Sequence, residues 1–304
     1  LPVSAQPYPS KPIRVIVPFP PGDGADLLAR LIGQKIAERL GQPVVVENRP
    51  GAAGQLGLDL AARATPDGYT ITLGQGGNLV IAPHTYKKLA YDPLKDFVPI
   101  ALLVKNGIVL VVSPDSTFKS VSDLIAYAKA NPGKLTFASN GEGGFVHLAF
   151  ELLRLQAGFS YLHVPYKGGS QALTEVLGGQ VEATMVTAAV AMPHHRSGKL
   201  RLLGTTNPAR ISQLPDVAPI AESLPGYEHR GWFGMLAPAA VSRETVAVLN
   251  REINFAMAAT DTKDKVTAMG FDIATGTPER FAETMRADYA KFGKLTRDIG
   301  LQPQ

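Results

Sequence analysis

The chain contains no cysteine. That excludes disulfide staples, thiolate metal ligands and a cysteine nucleophile together. At 304 residues it needs none of them to bury a core, and its length fits two domains better than one. No stretch is long and apolar enough to span a membrane; the best run, Ile100 to Val112, is broken by Lys105, Asn106 and Gly107. The 30 Lys and Arg against 26 Asp and Glu leave a formal charge of +4. Those positive charges are scattered, so they read as a solvated surface and not as a nucleic-acid patch. Catalytic signatures are missing as well. The histidines at 84, 147, 163, 194, 195 and 229 form no H-E-x-x-H helix, and neither a G-x-S-x-G elbow nor a Gly-Lys-Ser/Thr phosphate loop occurs. His194 and His195 are adjacent and read as a solvated loop pair. No metal and no cofactor is expected. The opening Leu1-Pro-Val-Ser-Ala-Gln resembles the tail of a processed export signal, which makes export an expectation.

What is present is an alternation of short β-rich runs and amphipathic stretches. Ile13 to Phe19 reads as a strand. Leu27, Leu28, Leu31, Ile32, Ile36 and Leu40 then recur at helical spacing up to Gly41. Val44-Val45-Val46, a helix from Leu56 to Ala64 and a strand from Tyr69 to Leu73 complete a βαβαβ pattern. The same grammar restarts near Val104, with strands at 108–112, 135–138, 163–165, 181–187 and 200–205. The intervening helices span 124–130, 146–156 and a stretch capped by Ser170 that ends at Gly178. Ser120 and Asp123 have capping-box spacing. Beyond Pro225 come a strand over 231–236 and helices over 243–258, 261–269 and 278–299, the last with Thr277 as N-cap and Pro278 in its first turn. The expectation is an α/β chain of two units with mostly parallel sheets. One unit comprises residues 1–103 and 228–304, whose helical C-terminal segment packs on it; the other is 104–227, with the ligand cleft between. Crossings near 103–107 and 225–231 would form a hinge.

Three glycine loops follow strands: Gly22-Asp23-Gly24, Gly74-Gln75-Gly76-Gly77 and Gly141-Glu142-Gly143-Gly144. Glycine permits close backbone approach to a ligand. A helix N-terminus offers free N–H groups and partial positive charge. Such loops lie at the carboxyl ends of strands, where α/β folds bind ligands. One loop alone would be an ordinary tight turn; three of one kind point to a shared anion site. His147 falls in the first turn after the third loop, as a hydrogen-bond donor to a ligand or as part of its wall. Gly22-x-Gly24 with Glu47 also imitates a dinucleotide site, although position 27 is Leu where a third glycine belongs. A Rossmann-type nucleotide-dependent enzyme is therefore the alternative. Two aspartates flank this first loop. A carboxylate 4 Å from an anionic ligand is repelled by roughly 4 kcal/mol at an effective dielectric near 20, so both cannot face the site. Asp26 is expected to be structural, at the N-cap or first turn, with about 1 kcal/mol lost on truncation. Asp23 is expected to point to solvent, or else to select an ammonium or hydroxyl group.

Further motifs carry a family resemblance. They are Tyr8-Pro-x-Lys-Pro-Ile-Arg-Val-Ile-Val-Pro-Phe19, Gly41-Gln-Pro-Val-Val-Val-Glu-Asn-Arg-Pro-Gly51, Ala64-x-Pro-Asp-Gly-Tyr69 and Tyr91-Asp-Pro-x-Lys-Asp-Phe97. Val164-Pro-Tyr-Lys-Gly168, Leu177-Gly-Gly-Gln-Val181, Leu214-Pro-Asp-Val217 and Trp232-Phe-Gly follow in order. The chain resembles the Bug/TctC family, the extracytoplasmic substrate-binding proteins of tripartite tricarboxylate transporters, from about Tyr8 to Leu301. The resemblance implies a periplasmic, monomeric, two-domain binding protein of the Venus-flytrap (type II-like) fold. Such a protein closes on a small organic carboxylate, delivers it to membrane permease subunits, and does no catalysis; for this chain, which has Thr187 and no acid at that position, the expected ligand is a dicarboxylate or an aromatic carboxylate. A binding protein serving a sensor kinase would look the same. Carried onto this sequence, the ligand residues are Phe19, Pro21, Gly22, Asp23, Gly24, Ala25 and Asp26 in the first loop, and Gly76, Gly77 and Asn78 in the second. The third loop supplies Ser139, Asn140, Gly141, Gly143, Gly144 and His147. Tyr166, Lys167 and Gly168 follow, and Thr187 stands where many relatives carry Asp or Asn.

Overall fold

The computed structural model describes residues 8–166, 168–212 and 214–303. Contacts divide the chain into two units. One holds the chain up to Lys105, Trp232–Lys294 and the residues from Gln302 on; the other holds Asn106–Gly231 and Leu295–Leu301. The first unit opens with β1 (Ile13–Val17), α1 (Gly24–Leu40), β2 (Val44–Asn48), α2 (Gln55–Ala62), β3 (Thr70–Gln75), α3 (Ala82–Thr85) and β4 (Phe97–Asn106). The second is built from β5 (Val109–Val112), α4 (Val121–Ala130), β6 (Thr136–Ser139), α5 (Phe145–Ala157), β7 (Leu162–Pro165), α6 (Gly169–Leu177), β8 (Ala183–Val186), α7 (Ala188–Arg196), β9 (Arg201–Thr205) and α8 (Ile220–Ser223). The chain continues through β10 (Gly231–Pro238), α9 (Arg243–Ala258), α10 (Thr260–Ala268), β11 (Asp272–Ile273) and α11 (Pro278–Asp298).

Burial explains why these runs became strands. Ile13, Val15 and Val17 of β1 pack with Leu28, Ile32 and Ile36 of α1 and with Leu249 and Ile253 of α9. Ile16 is also fully buried, and strand alternation turns it to the opposite face. A strand covered on both faces reads as one apolar run. In β5, Leu110 and Val112 join the core around Phe137 and Phe150, whose rings stack at 3.7 Å. Val109 and Val111 join Ala172, Leu173 and Val176 of α6 on the other face.

Both sheets are mixed. The first has the order β11-β4-β10-β3-β1-β2; β1 runs parallel to β2 and β3, while β10 opposes β3 and β11 opposes β4. The second has the order β7-β6-β8-β5-β9; β6 is parallel to β7 and β8, and β5 opposes β8 and β9. The parallel triplets matter most for function. They bring the carboxyl ends of β1, β2 and β3 to one sheet edge, and those of β6, β7 and β8 to one edge of the other sheet.

The capping-box expectation for α4 holds. Ser120 Oγ accepts from Asp123 N at 3.1 Å, and Asp123 Oδ2 accepts from Lys119 N at 2.9 Å. Ser120→Ala is expected to cost about 1 kcal/mol, measured as a shift in the denaturation midpoint at unchanged slope; an unchanged midpoint would deny the cap any net value. Other expectations are corrected. β4 is an addition: in the sequence the apolar run from Ile100 reads only as a broken candidate membrane span, whereas Phe97–Asn106 form a strand. Gly74 lies inside β3 and not in a loop, where an added Cβ would strike Leu79 Cδ1 at 2.4 Å. Ser170 does not cap α6; the N-cap is Gly168. His194 and His195 belong to the last turn of α7, a short helix that tolerates Pro193 in its interior.

Candidate ligand-binding site

In the first unit, the loop between β1 and α1 is held by a polar cluster. Asp26 is 2% exposed. Its Oδ2 accepts from Gly22 N at 2.9 Å and from Arg30 Nε at 3.0 Å, and its Oδ1 from Asn48 Nδ2 at 2.9 Å. Asn48 Nδ2 also reaches the Phe19 carbonyl at 3.0 Å. Burial alone would raise the Asp26 pKa, but the bonds from Arg30, Gly22 and Asn48 outweigh it and hold the carboxyl below its ordinary value. The helix cap is Asp23, not Asp26: the exposed Asp23 carboxylate accepts from Ala25 N at 2.9 Å. Neither aspartate is spare. Gly24 and Ala25 begin the helix, Pro21 is exposed, and Gly22 adopts φ 82°, with open space where a Cβ would sit. Phe19 meets Phe233 edge to face at 6.2 Å.

The second loop is tied to the same edge. Asn78 Oδ1 accepts from Gln75 N at 3.0 Å, and the Asn78 carbonyl accepts from Tyr91 Oη at 2.6 Å. Gly77 starts a short π-helical turn, and Gly76 lies against the Trp232 indole, whose Nε1 donates to Asp288 at 2.8 Å. Sequence reasoning missed a further loop, between β2 and α2. Gly51, Ala52, Ala53 and Gly54 have φ of 132°, 46°, 54° and 90°. For the two alanines such backbone costs about 1–2 kcal/mol each. Gly54 packs so closely that a Cβ would lie 2.7 Å from Asn78 Nδ2. Gln55 then opens α2. The amide nitrogens of Gln55 and Asn78 are both buried and find no acceptor among the described residues. The Gly51-x-x-Gly54 pair after a strand was the visible signal.

In the second unit, the loop from Ser139 to Gly144 uses glycine where φ is positive, 127° at Gly141 and 70° at Gly143. Ser139 Oγ donates to the Gly141 carbonyl at 3.0 Å and lies 2.7 Å from His163 Nε2. His147 Nδ1 accepts from Gly143 N at 2.9 Å. Asn140 is exposed at the loop's start. Tyr166 N donates to the Ser139 carbonyl at 2.9 Å, tying the next loop to this one. Lys167 lies outside the described residues. The helices α5, α6 and α7 start from Gly144, Gly168 and Thr187, and none of these residues caps its helix with a side chain. By contrast α1, α4 and α9 are capped by Asp23, Ser120 and Ser242. Three helices thus keep their first N–H groups unspent at one sheet edge, a setting that favours anions.

The first loop's resemblance to a dinucleotide site is limited to its glycines and Glu47. Glu47, the expected ribose acid, is paired to both Arg14 and Arg49. Burial opposes its ionisation, but those two arginines keep its pKa low. Among the described residues no group of three or more His, Asp and Glu side chains is placed to hold a metal ion, and no helix is long and apolar enough to cross a membrane.

Two mixed sheets with helices and donor-rich glycine loops at their carboxyl edges define an α/β solute-binding protein of the two-domain periplasmic type. Residues 28–301 match the family model for the tripartite tricarboxylate transporter family receptor, TctC. BugT of Bordetella pertussis is 35% identical over 301 residues, covering 98% of this chain and 92% of its own. The solved structure of Rpa4515 of R. palustris with adipate superposes at TM-score 0.84, with 30% identity and coverage of 98% and 100%. MatC of Rhodopseudomonas palustris with bound malate superposes at 0.78, again at 30% identity, covering 95% and 99%. The chain belongs to the TctC family of tripartite tricarboxylate transporter receptors.

Proposed function

We propose that this protein captures a small organic dicarboxylate in the periplasm and hands it, chemically unchanged, to the permease subunits of a tripartite transporter. One observation carries the ligand class: the Gln55 and Asn78 amide nitrogens are buried donors without an acceptor among the described residues. A buried unmade hydrogen bond costs about 1–3 kcal/mol, and a ligand carboxylate that reached these nitrogens would supply the missing acceptor. The bare N-termini of α5, α6 and α7 favour negative charge in the same way. Family membership and the adipate and malate held by the two structural relatives support the same class.

The test is a thermal-shift screen over linear dicarboxylates and aromatic monocarboxylates, followed by calorimetry on the protein and on Gln55→Met. Methionine keeps the length of the side chain and removes the donor. The variant should be as stable as the parent or slightly more so without ligand, because an unpaired polar group is gone. It should bind the best dicarboxylate at least tenfold more weakly. Equal affinity in the variant would remove Gln55 from the site, and turnover of the ligand by the protein alone would overturn the reading.

A further inference from the structure

Two imidazoles hold the glycine loop of the second unit. His147, at the third position of α5, receives the Gly143 N–H on Nδ1 at 2.9 Å. That nitrogen must therefore be unprotonated, and the neutral ring carries its proton on Nε2. His163 of β7 grips the other end of the loop through Ser139, whose Oγ lies 2.7 Å from His163 Nε2 and 3.2 Å from Gly141 N. The two rings stack 3.9 Å apart at an interplanar angle of 4°. His147 is 6% exposed.

An imidazolium has two donors and no acceptor. Protonated His147 would turn an N–H toward the N–H of Gly143, and the bond that closes the loop would become a repulsion. The surroundings do little to welcome the charge. On α5, Glu151 lies 3.8 Å from His147 Nε2, but its carboxylate is already engaged by Arg154 at 2.8 Å and by Tyr161 Oη at 2.6 Å. The loop brings Glu142 and β7 brings His163, while the facing residues of β8, Ala183 to Val186, have no titratable side chain. Burial first, and the adjacent His163 second, pull the His147 pKa down to about 4. For a histidine depressed in this way, the neutral form's contribution is complete above the ordinary value of 6.5 and is eroded as pH falls from there toward 4.

We propose that His147 is a positioning residue and a proton-sensitive latch: its neutral ring locks the Gly141–Gly144 loop, and acidification opens it. That the latch governs carboxylate capture rests on the functional reading above. The latch itself is tested without ligand, by hydrogen–deuterium exchange of the segment 140–147 in the whole protein between pH 7.5 and 4.5, corrected for intrinsic exchange. Protection should fall at least tenfold in the parent. His147→Asn places a non-titrating carbonyl oxygen near the position of Nδ1 and should keep the segment protected at both pH values; His147→Leu should leave it unprotected at both. Flat protection in the parent, or an equal fall in His147→Asn, would overturn the latch. Calorimetry with adipate at pH 7.5 and 5.0 then addresses capture separately. A loss of affinity in the parent that exceeds the loss in His147→Asn couples the latch to binding. A working latch with equal losses in both proteins, or with no adipate binding, would count against the functional reading of this loop and leave the latch standing.

Discussion

Asp26→Ala should lose about 3 kcal/mol of stability at neutral pH, well above the cost of a missing helix cap. Truncation strands the Gly22 N–H and the Asn48 amide, both of which bond the buried carboxylate at 2.9 Å. Arg30 adds less, since half of its side chain is in solvent and its charge is screened there. Asp26→Asn should not rescue, because its own amide would face the donors of Arg30 or Asn48. The pH dependence has a definite sign. The Asp26 pKa is lowered from 3.8, so its contribution is full above that value and is lost as pH falls from there through the lower native value. The gap between parent and variant should therefore shrink below about pH 4. Trp232, the single tryptophan, sits buried in the first unit and reports its unfolding in urea. A gap under 1 kcal/mol at pH 7, or one that does not change on acidification, would show that the cluster contributes little.

Gly57→Ala is expected to be destabilising although helix propensity favours it. Gly57 lies within α2, where alanine would add about 1 kcal/mol of helix stability. Its Cβ, however, would lie 2.8 Å from the Arg49 carbonyl oxygen and 2.9 Å from Pro18 Cα. These are backbone atoms that cannot rotate away. Overpacking costs about 1–3 kcal/mol and more where the neighbours are rigid, so packing wins by about 2 kcal/mol, or a melting shift of about 4–8 °C. The displaced backbone is that of the loops flanking Gln55, so dicarboxylate affinity should fall as well. A melting temperature at or above that of the parent would mean that α2 slides freely on the β1 edge and that this close contact does not position the loop.

Much of the framework was legible because it is written in local signals. β1 and α1 follow from one apolar run and one helical period. The α4 cap follows from Ser120 and Asp123 three residues apart, and the end of α1 from Gly41 at φ 65°. The family was legible through motifs kept in order along nearly the whole chain. Each of these is decided within a turn or two of backbone, where sterics and hydrogen-bond geometry leave few choices.

The chemistry of the site was decided elsewhere. Asp23 and Asp26 are both good N-terminal residues; Gly22, Arg30 and, from the end of β2, Asn48 bind Asp26 as a loop staple, while Asp23 takes the cap. Glu47 is a credible ribose acid until Arg14 and Arg49 close on it. The parallel register that sets Phe137 beside His163 and Ser139 beside Pro165 brings His163 to the glycine loop that already carries His147 in the following helical turn. The Gln55 and Asn78 amide nitrogens are buried without an acceptor among the described residues, and Gly54 packs against Asn78 where any Cβ would clash. By itself, then, the sequence determined the strands, the helices and the family, since these rest on short-range backbone geometry. Which side chains are satisfied and which are left to meet a ligand was a tertiary decision, because hydrogen bonding and desolvation depend on groups that lie far apart in the chain and adjacent in space.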